Sequence, residues 1–173
     1  MPLITTPGSA TADSYASLAA ALTYHAAMGN AAWAASTDAL REPALRRATL
    51  WTDATYRSRW TGYRLNGRTQ SLDWPRSGVV DWEGYAVDSA TIPAEVANAT
   101  CEAALRELAT PGSLAPDYVA SEQVASAAAG PVSVTFRDGS GSATVQPILT
   151  IVDGILARLL GARSRGIVEL VRA

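Results

Sequence analysis

One segment restricts the fold more than any other. From Ile92 the chain reads IPAEVANATCEAALREL, and its apolar residues fall in two adjoining stripes. Ile92, Val96, Ala99 and Ala103 make one; Cys101, Leu105 and Leu108 make the other. Pro93 opens the helix, Glu95 sits where the helix dipole favours an anion, and Arg106 lies near the other end. So wide an apolar face must be covered from several sides, which predicts a central helix inside a helical bundle.

Three other segments carry helical spacing. The first starts after Asp13 or Ser14, repeats Tyr15, Leu18, Leu22 and Ala26, and stops at Gly29-Asn30. Trp33 then falls in a short linking turn. The second runs from Pro43 to Tyr56, with Leu45, Ala48, Trp51 and Thr55 inward and Arg46, Asp53 and Arg57 outward. Thr37 to Glu42 adds at most an extra turn, because Pro43 disfavours one unbroken helix. The last runs from Pro147 to Leu160, with Ile148, Ile151, Val152, Ile155, Leu159 and Leu160 inward and Gly161 as its stop. Between them, Val132, Val134 and Phe136 alternate with polar neighbours as a half-buried strand. Asp138 to Thr144 is a flexible linker by composition. Gly166 to Arg172 reads as a final strand, pairing either with 132–137 or with a neighbouring subunit. The expectation is a mainly α single domain over 1–173, a small bundle of about four helices. It carries a long aromatic loop at 58–91, a minor C-terminal β element and an extended arm at 161–173.

Enzyme chemistry finds few parts here. A general base needs a positioned titratable group, and His25 is the one histidine, midway along an Ala-rich helix. Cys101, the one cysteine, sits among apolar neighbours as a small buried hydrophobe. It leaves no internal disulfide or cysteine-based metal site, and a reducing compartment fits. Gly139-Ser140-Gly141 lacks the residues a phosphate loop requires, and no nucleophile elbow occurs. Asp81 and Glu83 lack a third ligand and read as a solvated edge. No enzyme activity, metal or cofactor is expected. The N-terminus shows no signal peptide pattern. The uncharged run from Ser14 to Thr37 is too weakly apolar to span a membrane.

The loop raises the binding question. YRSRWTGYR, Tyr56 to Arg64, alternates Arg57, Arg59 and Arg64 with aromatics that include Trp60, and Arg68 and Arg76 follow. Such a cluster could attract phosphate and stack unpaired bases. Alternatively, the aromatics anchor the loop to the core and the Arg stems cover them. The net charge of −2 favours the second reading, since phosphate binders usually carry a basic excess. Trp74, Arg76, Trp82 and Tyr85 divide likewise between core anchors and partner contacts. With Ile167, Val168 and Leu170 of the tail, they form the expected subunit or partner interface. Arg57, Arg59, Trp60 and Arg64 form the candidate nucleic-acid contact.

Three stretches together resemble a family of tailed-phage proteins. They are ADSYASLAAALTYHAAMGN, ALRRATLWTDATYRSRWTGYR and QSLDWPRSGVVDWEGYAVDSATIPAEVANATCEAALREL. Members are often labelled "DnaT-like ssDNA-binding", and similar proteins look like head–tail connector (adaptor) subunits. The resemblance covers roughly residues 12–160. It implies a mainly helical subunit without catalysis, assembled in the host cytoplasm into a homo-oligomeric, typically dodecameric, ring in the virion neck. Its implied partners are the portal protein, a tail or stopper protein, and double-stranded DNA passing through the lumen without sequence specificity. No membrane is implied. The label itself implies the alternative, single-stranded DNA binding.

Overall fold

The computed structural model describes residues 2–116, 126–129, 132–135 and 148–161. Five helices occur among them: α1 (Leu18–Ala27), α2 (Ala31–Ala35), α3 (Asp38–Tyr56), α4 (Ala94–Ala109) and α5 (Thr150–Leu156). Short strands β1 (Tyr63–Arg64) and β2 (Arg76–Ser77) pair antiparallel inside the long loop. A second antiparallel pair joins β3 (Ser126–Ala129) and β4 (Val132–Thr135). The mainly helical class is as expected. The strand at 132–135 finds its partner locally, at 126–129. The tail at 162–173, with Ile167, Val168 and Leu170, and the 138–144 linker lie outside the described residues.

Helix α4 is the central one, packing on α3, α5, α1 and α2. Its buried residues include Val96, Ala99, Cys101, Ala103 and Ala104. The Ala-rich faces let helix backbones approach closely. Large side chains then fill the remaining space: Trp33, Leu45, Trp51, Tyr56 and Leu156 belong to the same core.

Local expectations are corrected on four points, the first of them the α1–α2 segment. Helix α1 begins at Leu18, where Ser17 accepts the Ala20 N–H at 3.1 Å. Asp13 is engaged elsewhere, accepting from the Ile4 N–H and the Arg46 guanidinium. The buried face of α1 is Ala21 and His25, whereas Leu22 lies at the surface. Trp33 sits in a helix of its own, α2.

Second, α3 is one helix through Pro43. The proline forfeits one backbone hydrogen bond, but buried Arg41 holds the first turn in place. Its Nε and Nη2 donate to the Trp33 carbonyl at 3.1 and 2.8 Å, and Nη2 also reaches the Ala34 carbonyl. Its Nη1 meets Asp38 at 2.7 Å. One guanidinium therefore satisfies the end of α2 and fastens it to the start of α3.

Third, Asp53, expected outward, is buried. Fourth, α5 is shorter than expected, and Ile148 and Ile151 face solvent while Val152, Leu156 and Leu159 are buried. Among the described residues, no helix is long and apolar enough to cross a membrane.

Candidate functional site

The long loop is fixed to α3 through buried polar contacts. The Tyr15 hydroxyl donates to Asp53 Oδ1, and the Asp73 N–H donates to Asp53 Oδ2 at 3.0 Å. The Trp74 N–H donates to the Tyr15 oxygen at 3.1 Å. Arg57 Nε reaches Asp73 Oδ2 at 2.9 Å. Burial pushes the Asp53 carboxyl up to about 6, against the hydrogen bond from Tyr15. Gln70, also buried, donates to the carbonyls of Leu72 and Pro75.

These contacts drive the Trp74 side chain into the core, where it is 1% exposed. Its ring meets Trp60 edge-on at 5.5 Å, and Trp60 in turn packs on Tyr56 at 5.8 Å. Two expectations change accordingly. Trp74 is a core anchor and has no surface to offer a subunit partner. Trp60, buried beside it, has no free face on which a base could stack. Arg59 leaves the cluster too: its Nη1 turns to Asp153 on α5 at 3.4 Å, and it lies over the Tyr56 ring.

What remains at the surface is a cleft of about 390 Å³ lined by Arg57, Gly62, Tyr63, Arg64, Asp73 and Arg76. The β1–β2 register sets Arg64 opposite Arg76 and Tyr63 opposite Ser77. Like charges directly opposite one another cost stability. Carbonyls offset part of that cost: Arg76 donates to Thr61 and Gly62 at 2.7 Å each, and Arg64 donates to Gln70 at 3.3 Å. Partial burial lowers the Arg76 pKa from its usual value, while Asp73 raises that of Arg57. The Tyr63 ring and the Arg57 side chain are each 67% exposed. Gly62 permits this geometry. Its φ is +63°, and a Cβ there would stand 2.3 Å from the Ser77 carbonyl oxygen.

The second surface of the loop is a turn at residues 80–86. Val80 and Ala86 bridge at its base. Asp81 Oδ1 accepts from the Glu83 and Tyr85 N–H groups at 3.0 and 2.8 Å. The Trp82 N–H donates to the Arg158 carbonyl, just past α5, at 3.0 Å. The backbone is thus held on both sides, yet Trp82 and Tyr85 are each 69% exposed. Asp81 earns its place as a turn cap rather than as a metal ligand. Among the described residues, no group of three His, Cys, Asp or Glu could hold a metal.

The remaining reactive side chains are internal. His25 is buried against Trp33, with Nδ1 taken by Asn30 at 3.0 Å. Cys101 is buried, and burial pushes its thiol up to about 12. A thiol held protonated is a poor nucleophile. Sequence reasoning missed Asp53 and Tyr15, which organise the loop, and Arg41, which fastens α2 to α3. Buried charge at helical spacing looks like surface charge until the partner is seen.

Fold and surfaces together define a small helical protein that carries a concave basic cleft and a protruding aromatic turn on one well-anchored loop. Over its whole length, residues 1–173, the chain matches the family described as "Putative DnaT-like ssDNA binding protein", and it belongs to that family. No curated protein and no solved structure matches it.

Proposed function

We propose that this chain binds single-stranded DNA, without catalysing a reaction, through the cleft between β1, β2 and the end of α3. The observation that carries this reading is the cross-strand Arg64–Arg76 pair beside Arg57 and the exposed Tyr63 ring. An anion between the arginines would relieve their repulsion, and a base could stack on Tyr63. The family's description supports the same reading. With three arginines engaged, log K should fall against log salt with a slope of about −2, or about 20-fold between 50 and 200 mM salt. Fluorescence anisotropy on a labelled oligothymidine measures this directly. Replacing both Arg64 and Arg76 with Ala should flatten the slope. Binding that is absent in low salt, or insensitive to salt, would count against the proposal.

A second reading follows from the exposed Trp82 and Tyr85. Aromatic side chains presented on a fixed turn suit protein contacts, and the sequence resembles head–tail connectors. In this reading the chain is a virion neck subunit, forming a ring beneath a portal protein and above a tail or stopper protein. The net charge of −2 suits a channel through which duplex DNA slides. Negative-stain images of the chain mixed with a portal, with or without an added ring, separate the two readings.

A further inference from the structure

We propose that the turn at residues 80–86 docks an arginine-bearing segment of a partner protein, with a guanidinium stacked on the Trp82 ring and held by the carboxylates beside it. The turn presents that ring on a fixed backbone. Asp81 Oδ1 accepts from the Glu83 and Tyr85 N–H groups, the Val87 N–H donates to the Val79 carbonyl at 3.0 Å, and the Trp82 N–H donates to the Arg158 carbonyl. A guest therefore meets the turn without ordering it further. The chain holds five tryptophans; Trp33, Trp51, Trp60 and Trp74 are at most 7% exposed, whereas Trp82 is 69% exposed. Val80 and Tyr85 in the same turn are exposed as well. An indole of this kind dominates a protein contact once it is covered.

Charge selects the occupant. Elsewhere in this chain carboxylates meet arginines: Asp13, Asp38, Glu42, Asp73, Glu107 and Asp153 each take part in an ion pair. Asp81, Glu83 and Asp88, the last just past the foot of the turn, have no cationic partner among the described residues. No Arg, Lys or His occurs from Ser77 to Leu105. Arg158 lends its carbonyl to the turn, yet it too makes no ion pair with these carboxylates among the described residues. The surface is thus aromatic and negative, with no counter-charge of its own. Such a rim repels nucleic acid and anionic lipid and attracts a cation. The face of an indole attracts a cation as well, and Trp is the best ring for it. Arginine answers both features at once, because its planar guanidinium lies flat on the ring while its edge N–H groups reach a carboxylate.

The inference gives the protein contact of the second reading a chemical identity, and it rests on that contact being made through the turn. It needs neither a ring nor DNA binding. Images with a portal test assembly and a peptide tests the chemistry of the turn, so each can fail alone.

The test is fluorescence anisotropy of a rhodamine-labelled nonapeptide of alternating Arg and Gly, titrated with the full chain in low salt. Wild type should bind it saturably, the lysine analogue several-fold more weakly, and the glutamate analogue not at all. Trp82→Ala should weaken binding about ten-fold, and Glu83→Gln about two- to three-fold. Both side chains are exposed, and thermal melting confirms that each variant is folded. Acrylamide quenching of intrinsic fluorescence then reads the site directly, since Trp82 is the one exposed tryptophan. The unlabelled arginine peptide should protect Trp82 from the quencher, whereas oligothymidine and phosphatidylserine vesicles should leave it accessible. A wild type without saturable binding, folded variants that bind as well as wild type, arginine and lysine peptides of equal affinity, or protection of Trp82 by the oligonucleotide or the vesicles would each overturn the proposal.

Discussion

Trp74 and Trp82 lie eight positions apart in one loop, and replacing each with Ala should give opposite results. Trp74 is 1% exposed and packs edge-on against Trp60 at 5.5 Å. Truncating a buried Trp costs about 3–5 kcal/mol, through lost transfer free energy and the cavity left behind. The Trp60 contact contributes about 1 kcal/mol within that total. The anchoring bonds to Tyr15 and Asp53 involve the backbone at 73–74, so the substitution leaves them in place and the cavity cannot collapse easily. For a chain of this size, each kcal/mol moves Tm by about 2–4 °C, which places Trp74→Ala roughly 6–20 °C below wild type. Trp82 is 69% exposed, and its truncation should change stability by no more than about 0.5 kcal/mol. Differential scanning calorimetry with urea titration reads both variants. A Trp74→Ala protein melting within about 2 °C of wild type, with an unchanged urea midpoint, would refute the assignment of this side chain to the core.

Arg41→Ala should cost about 3 kcal/mol in urea denaturation, since the Trp33 and Ala34 carbonyls lose charge-assisted donors. Arg41→Lys should recover little of it, because an ammonium cannot reach those acceptors as a fork. Gly62→Ala forces a side chain into positive φ and against the Ser77 carbonyl, so it should cost about 2 kcal/mol or more. It should also abolish DNA binding while the helical circular dichroism remains. The Asp53 carboxyl, pushed up to about 6 from an ordinary 3.8, binds its proton more tightly folded than unfolded. Its contribution is therefore most favourable below pH 4 and is lost as pH rises through 6, by about 3 kcal/mol. Asp53→Asn should remove this component, so its stability relative to wild type should improve from pH 4 to pH 7.5; a constant difference between the two proteins would contradict the assignment.

The sequence by itself determined the helical class and the central place of α4. Two adjoining apolar stripes at 3.6-residue spacing have few other solutions, and Pro93 and Gly29 mark boundaries by backbone chemistry alone. It also located the loop that carries both candidate surfaces, because aromatics without periodicity signal order without regular structure. Only the tertiary structure decided which loop residues point where. Trp60, Trp74 and Trp82 are chemically alike, and their burial depends on contacts many positions away in the chain. The α3 helix passes through Pro43 because Arg41 reaches back to α2, and Asp53 is buried because Tyr15 and the backbone at 73 converge on it. Local sequence encodes periodicity and caps. The sorting of identical side chains into core and surface is settled by which distant groups satisfy them.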